Sequence, residues 1–247
     1  MPIPKMLQGM RGGLVVSCQA LDGEPLHHPG TMALMALAAK NGGGVAIRAN
    51  GCEDIAEIKS AVPLPVIGLK KRCYPDSPVY ITPTMDELIE VGNAGADIIA
   101  IDATVRKRPQ GATVDELVHT ARELFPDALL MADISNFNEA QNAYDCGFDI
   151  ISTTLSGYTP NSPKLHGPDF ELVKRLVLHF SKKKAIPIFA EGRIRFPEQA
   201  GKLIESGAWA VVVGSAITRP QFITGDFVSE ISDRLYKSQS GRCLPHV

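Results

Sequence analysis

The stretch Ala94-Gly95-Ala96-Asp97-Ile98-Ile99-Ala100-Ile101-Asp102 decides the architecture of this chain. A glycine after a helical segment supplies the left-handed cap that ends a helix. The unbroken apolar run that follows reads as a strand covered on both faces. The same punctuation returns at Cys146-Gly147-Phe148-Asp149 and at Ser206-Gly207-Ala208-Trp209, each followed by an Ile- or Val-rich run. A recurring unit of helix, glycine and buried strand marks parallel β/α construction.

Outward from that unit, eight apolar runs appear, at 13–19, 44–50, 65–71, 97–104, 128–135, 148–154, 186–192 and 208–217. Segments of helical spacing separate them at 31–40, 53–61, 85–94, 114–125, 139–146, 170–180 and 198–206, and a last helix at about 226–236 precedes a polar tail at 237–247. Helix starts are marked by Thr82-Pro83-Thr84, by Thr113 with Glu116 three residues on, and by Phe196-Pro197. No linker or low-complexity segment divides the chain. The expectation is an α/β fold, a single-domain (β/α)8 TIM barrel over residues 1–247, a length close to the ~250 residues that fold typically takes. A doubly wound open sheet is the competing architecture.

Composition narrows the function. With 25 Lys and Arg against 27 Asp and Glu, net charge is −2 and the basic residues are spread out, so neither nucleic acid nor an anionic membrane is an expected partner. A small soluble substrate fits. The five cysteines, Cys18, Cys52, Cys73, Cys146 and Cys243, form no CxxC pair, which points to a reducing compartment rather than a disulfide framework or zinc site. No apolar run near the N-terminus has signal-peptide length, and the expected localisation is cytoplasmic.

Counting back in twos from the polar residue that closes each strand gives the side chains facing inward. The series are Val15, Ser17, Gln19; Ala46, Arg48; Ile67, Leu69, Lys71; Ile98, Ala100, Asp102; Leu129, Met131, Asp133; and Phe189, Glu191. One charged residue at a strand end is commonly solvated punctuation. Six polar residues in matching phase at the C-terminal ends of successive strands point instead to the catalytic rim of a barrel.

The seventh run ends in Glu191-Gly192-Arg193, and the eighth in Gly214-Ser215 with Arg219 four residues on. In phosphate-binding barrels these two loops often seat the anion, with glycines admitting close approach of backbone N–H groups. Arg219 adds a charge-assisted hydrogen bond in such a seat. The structural alternative is that the glycines only turn the chain.

An ordered set of motifs runs through the chain: Gly13-Leu14-Val15-Val16-Ser17-Cys18-Gln19-Ala20, Ile47-Arg48-Ala49-Asn50-Gly51, Val66-Ile67-Gly68-Leu69-Lys70-Lys71-Arg72, Tyr80-Ile81-Thr82-Pro83-Thr84, Asp102-Ala103-Thr104, Met131-Ala132-Asp133-Ile134-Ser135, Thr153-Thr154-Leu155-Ser156-Gly157-Tyr158-Thr159, Ala190-Glu191-Gly192-Arg193 and Ala216-Ile217-Thr218-Arg219-Pro220. The resemblance these carry, over nearly the whole chain, is to the N-acetylmannosamine-6-phosphate 2-epimerase family. It implies an isomerase that inverts C2 of an N-acyl amino-sugar 6-phosphate with no metal or other cofactor, and a homodimer. Carried over by motif, Lys71 and Glu191 are catalytic. Gln19, Arg48, Asp102, Asp133, Thr154 and Tyr158 bind substrate, and Gly192, Arg193, Gly214, Ser215 and Arg219 bind phosphate. Two departures are visible: Ser215 stands where a second glycine is expected, and residues 181–184 lengthen one connection.

Rival readings have distinct signatures. A metal-dependent pentose-phosphate epimerase needs His and carboxylate ligands at strand ends, whereas His27, His28, His119, His166, His179 and His246 fall in expected loops, helices or the tail. A Schiff-base aldolase would form a borohydride-reducible adduct at Lys71. A non-catalytic sugar-phosphate binder has no need of a lysine and a carboxylate around the reacting carbon.

Overall fold

The structure, a computed structural model, describes residues 3–181 and 185–240. All eight expected strands form: β1 (Gly13–Cys18), β2 (Ala46–Asn50), β3 (Val66–Leu69), β4 (Ile98–Asp102), β5 (Leu129–Asp133), β6 (Ile150–Ser152), β7 (Ile188–Glu191) and β8 (Ala210–Val213). Each pairs in parallel with the next and β8 returns to β1, so the sheet closes into a barrel and the open-sheet alternative falls.

The helices are α1 (Lys5–Gly9), α2 (Thr31–Asn41), α3 (Cys52–Ala61), α4 (Met85–Asn93), α5 (Val114–Leu124), α6 (Phe137–Asp145), α7 (Phe170–Phe180), α8 (Pro197–Glu205), α9 (Ser215–Thr218) and α10 (Pro220–Ser240). α1 and α9 span too few residues to leave a periodic signal in the sequence. α10 starts before the expected last helix and continues through Ser240, so the first part of the expected polar tail is helical. Residues 241–247 of that tail, with Cys243 and His246, lie outside the described residues, as do residues 182–184 of the lengthened connection.

Strand alternation sorts the apolar residues into two layers. Val15, Ala46, Ile67, Leu69, Ile98, Ala100, Met131, Ile150, Phe189, Ala210 and Val212 fill the interior, and Leu7 and Met10, beside α1, plug the end where the strands begin. Val16, Ile47, Val66, Ile99, Ile101, Leu130 and Ile151 face outward against Ile55 and Ile58 of α3, Leu88 and Val91 of α4, and Leu117 and Ala121 of α5. The inward series read from the sequence therefore point inward in the fold.

The opening motif works as a joint at the strand-start end. Gly95, Gly147 and Gly207 have φ of 86°, 87° and 95°, the left-handed caps expected. In two joints the following aspartate ties three elements together. Asp97 accepts from the backbone N–H of Val66 at 2.8 Å and from Lys59 Nζ of α3 at 2.7 Å. Asp149 accepts from the N–H of Leu130 at 2.8 Å and from Arg122 of α5 at 2.7 Å. In the third joint Trp209 stands in the aspartate's place and donates its indole N–H to Leu7 O at 2.7 Å, fastening α1 beneath the barrel.

We expect Asp97→Ala to lower stability by roughly 1–3 kcal/mol, because the N–H of Val66 is left without its acceptor. Denaturant unfolding measures it; a change within error would show that the joint is redundant.

Candidate active site

The rim of the barrel is built around an ion pair. Arg48, 1% exposed, donates through Nη2 to Asp133 Oδ2 at 2.5 Å and through Nη1 to Oδ1 at 3.2 Å; the Asp133 side chain is fully buried. Nη1 also lies 3.3 Å from Glu191 Oε2. Burial works against the charge on Arg48, but Asp133 and Glu191 outweigh it and hold the guanidinium charged. β6 brings the next inward residues, Ser152 and Thr154. Thr154 Oγ1 lies 2.6 Å from Asp133 Oδ1, 3.0 Å from Glu191 Oε2 and 2.9 Å from Ser152 Oγ.

Lys71 follows β3 and is held by its backbone. Its N–H donates to Asn50 Oδ1 at 2.8 Å, and a bridge to Ile81 folds residues 70–82 back over the rim. Glu87, fully buried on α4, anchors that fold: it accepts from Arg72 Nη1 at 2.6 Å, Tyr74 Oη at 2.9 Å and the N–H of Thr84 at 3.0 Å. The ammonium is left among unequal influences. Burial, Arg48 and Arg219 push the pKa of Lys71 down while Glu191 and Asp133 pull it up, and the balance falls from 10.5 to about 8. Near neutrality about one amine in ten is then uncharged, a gain on the order of 3 kcal/mol over an ordinary lysine acting as a base.

Lys71, Glu191, Gln19, Arg48, Thr154 and Tyr158 line one cavity of about 310 Å³ with Gly192, Arg193, Gly214, Ser215 and Arg219. The lysine and the carboxylate thus share one space. Burial raises the pKa of Glu191, with Arg48 opposing, Asp133 adding to it, and a hydroxyl hydrogen, where Thr154 donates one, and the charge of Lys71 opposing. Gln19 Nε2 donates to Ser17 Oγ at 2.8 Å, while its buried Oε1 has no partner among the described residues, an acceptor suited to an incoming N–H or O–H.

Three expected site residues sit differently from the sequence reading. Asp102 faces inward but does not line the cavity: it accepts from Thr104 Oγ1 at 2.7 Å and Arg106 Nη2 at 2.6 Å, and so anchors its own loop. Asp133 lies one layer beneath the cavity, behind Arg48 and Thr154. The guanidinium of Arg193 is spent on the carbonyls of Gly167, at 2.9 Å, and Ser156, and lies over the ring of Tyr158. Arg219 is placed at the mouth, where Nη2 meets Glu24 Oε2 at 3.1 Å.

Sequence reading missed Tyr80, which lines the cavity on the folded-back segment and whose phenol burial pushes up to about 12. Its place depends on the bridge between Lys71 and Ile81, a contact with no signature in strand phase. Glu24 escaped for the same reason. Among the described residues no group of three His, Cys, Asp or Glu is placed to hold a metal ion, and no helix is long and apolar enough to cross a membrane.

A closed (β/α)8 barrel that gathers a lysine of lowered pKa, a buried carboxyl and a fixed arginine around one polar cavity defines an enzyme of the proton-transferring barrel class. The chain matches the family model described as "Putative N-acetylmannosamine-6-phosphate epimerase" over residues 32–233. It is 55% identical over 233 residues, 94% of this chain and 97% of the other, to a protein of Caldanaerobacter subterraneus subsp. tengcongensis. A Clostridioides difficile protein is 52% identical over 92% of this chain and 99% of its own; both are described as "Putative N-acetylmannosamine-6-phosphate 2-epimerase". The solved structure of the N-acetylmannosamine-6-phosphate 2-epimerase from Clostridium perfringens is 48% identical and superposes with a TM-score of 0.86, covering 93% of this chain and 97% of that one. This chain belongs to the N-acetylmannosamine-6-phosphate epimerase family.

The lowered pKa has a direct readout. We expect the labelling rate of Lys71 by an amine-selective acylating reagent, followed by mass spectrometry, to rise with pH through a midpoint near 8. A midpoint near that of a free lysine would show that the rim does not favour the neutral amine.

Proposed function

We propose that this chain is an isomerase that interconverts N-acetylmannosamine 6-phosphate and N-acetylglucosamine 6-phosphate by removing and returning the proton at C2. Family membership supports the substrate. The observation that carries the chemistry is Lys71, with its pKa of about 8, sharing a cavity with Glu191.

The C2 proton of a 2-acetamido sugar is acidic only when C1 is a free aldehyde, so the ring opens first. The neutral amine of Lys71 then takes the proton, charge moves to the C1 oxygen as an enolate, and a proton returns on the other face. The charged Arg48, fixed by Asp133 in the cavity wall, is the cation assigned to that developing charge. Glu191 assists ring opening or serves as the second proton carrier. The reaction has no net redox change and its proton ledger closes on these groups.

The phosphate is assigned to Gly192, Gly214, Ser215 and Arg219, with Arg193 contributing its backbone. A dianion arriving there takes Arg219 from Glu24. Borohydride-insensitive turnover is expected, since a proton-transfer lysine makes no imine. The cytoplasmic setting and the homodimer belong to the same reading. The exposed Phe227, Val228 and Ile231 on α10 support a second copy, which light scattering would reveal.

Lys71→Ala should abolish exchange of the substrate C2 proton with solvent deuterium in a folded protein; exchange at the wild-type rate would remove Lys71 from the mechanism. Arg219→Ala should raise KM for the phosphorylated sugar by roughly tenfold or more, the scale of a charge-assisted hydrogen bond. It should affect the unphosphorylated sugar far less, and an equal loss for both would put the phosphate elsewhere.

A further inference from the structure

The hydroxyl of Thr154 has one hydrogen and three oxygen neighbours: Asp133 Oδ1 at 2.6 Å, Glu191 Oε2 at 3.0 Å and Ser152 Oγ at 2.9 Å. Two of the three belong to carboxyl groups. A single hydroxyl proton satisfies one carboxylate, and the other, if ionised, faces a lone pair.

The surroundings decide which carboxyl is ionised. Asp133 takes both arms of Arg48, at 2.5 and 3.2 Å, and the shorter Thr154 contact, so its two oxygens are ringed by donors. Apart from Thr154, Oε2 of Glu191 has among the described residues only the 3.3 Å approach of Arg48 Nη1, an arm already shared with Asp133. Thr154 therefore gives its hydrogen to Asp133. Its two lone pairs then accept from Ser152, which has no other acceptor among the described residues, and from Glu191. Glu191 is a donor only when it carries a proton.

We propose that Thr154 is a positioning residue that orients Glu191, un-ionised in the substrate-free enzyme, by donating to Asp133 and accepting from Glu191. The inference rests on the proposed epimerase reading and gives Glu191 a defined starting state in it. The charged groups acting on Glu191 are Arg48 from β2, Lys71 after β3 and Asp133 from β5, and the same cavity is lined by Tyr80, Tyr158, Arg193, Arg195, Arg219 and Asp226. Burial favours the acid form in the same direction. With the proton on Glu191, the amine of Lys71 loses its nearest stabilising anion and stays available as a base. When substrate enters, a sugar oxygen replaces Thr154 as the acceptor of the same O–H, so the acid is presented without a proton being drawn from water.

The test is an infrared difference spectrum of substrate-free enzyme at neutral pH, wild type minus Glu191→Gln. A protonated-carboxyl C=O stretch that shifts in deuterium oxide is the expected result. Thr154→Val should move that band to higher frequency, because the O–H loses its acceptor, and Thr154→Ser should return it. In turnover, Thr154→Val should lower kcat by roughly tenfold or more, within the range of a lost general acid, with Thr154→Ser recovering most of it. Absence of the acid band in wild type, or an unmoved band in Thr154→Val, overturns the proposal. Because the spectra need no substrate, failure of the wild type to epimerise the sugar phosphate would defeat the functional reading alone.

Discussion

The buried pair between Arg48 and Asp133 is the constraint on which the rim depends. Taking two charges out of water costs several kcal/mol per ion, and their attraction recovers this only with good geometry and further hydrogen bonds. Here the geometry is two-armed, with Thr154 and Glu191 completing the shell. Such a pair is weak evidence for stability. Its value is positional: it fixes a guanidinium that cannot be deprotonated in the cavity wall, and Asp133, Thr154, Glu191 and Lys71 are set around that charge.

Two ends of one barrel carry different work. At the strand-start end, Asp97 and Asp149 each join a strand to a neighbouring strand and a helix, and Trp209 fastens the plug helix. At the other end, aspartates in the same kind of β/α unit face inward. The division follows from strand direction. Parallel strands present all their C-terminal ends together, so functional side chains gather there while the joints at the opposite end bear the packing.

The strands were legible because burial on both faces leaves runs of Val and Ile that helices of this length do not produce. The inward phase was legible for the same reason, and it identified Arg48, Lys71, Asp133 and Glu191 by charge alone. β6 shows where this fails: Ser152 and Thr154 occupy the same phase but carry neutral hydroxyls, which look like ordinary strand residues. Phase also assigns direction without partners. Asp102 faces inward as read, yet Thr104 and Arg106, two and four residues on, take its carboxylate first. Tyr80 and Glu24 reach the cavity through long-range loop contacts that no local pattern encodes.

On the proposed reaction, the rim resolves a conflict built into using lysine as a base. Lowering its pKa increases the neutral fraction but weakens the base, so proton transfer from carbon becomes harder unless the product charge is stabilised. Arg48 acts on both sides of that balance. Its charge is the second largest cause, after burial, of the lowered lysine pKa, and the same charge favours the enolate that forms when the lysine takes its proton. A neutral residue at position 48 would shrink the neutral fraction of Lys71 further and leave the enolate without its counter-charge, and Asp133 would be a buried anion without its cation. One arginine, held where an aspartate from the far side of the barrel can reach it, therefore sets both the readiness of the base and the stability of what the base produces.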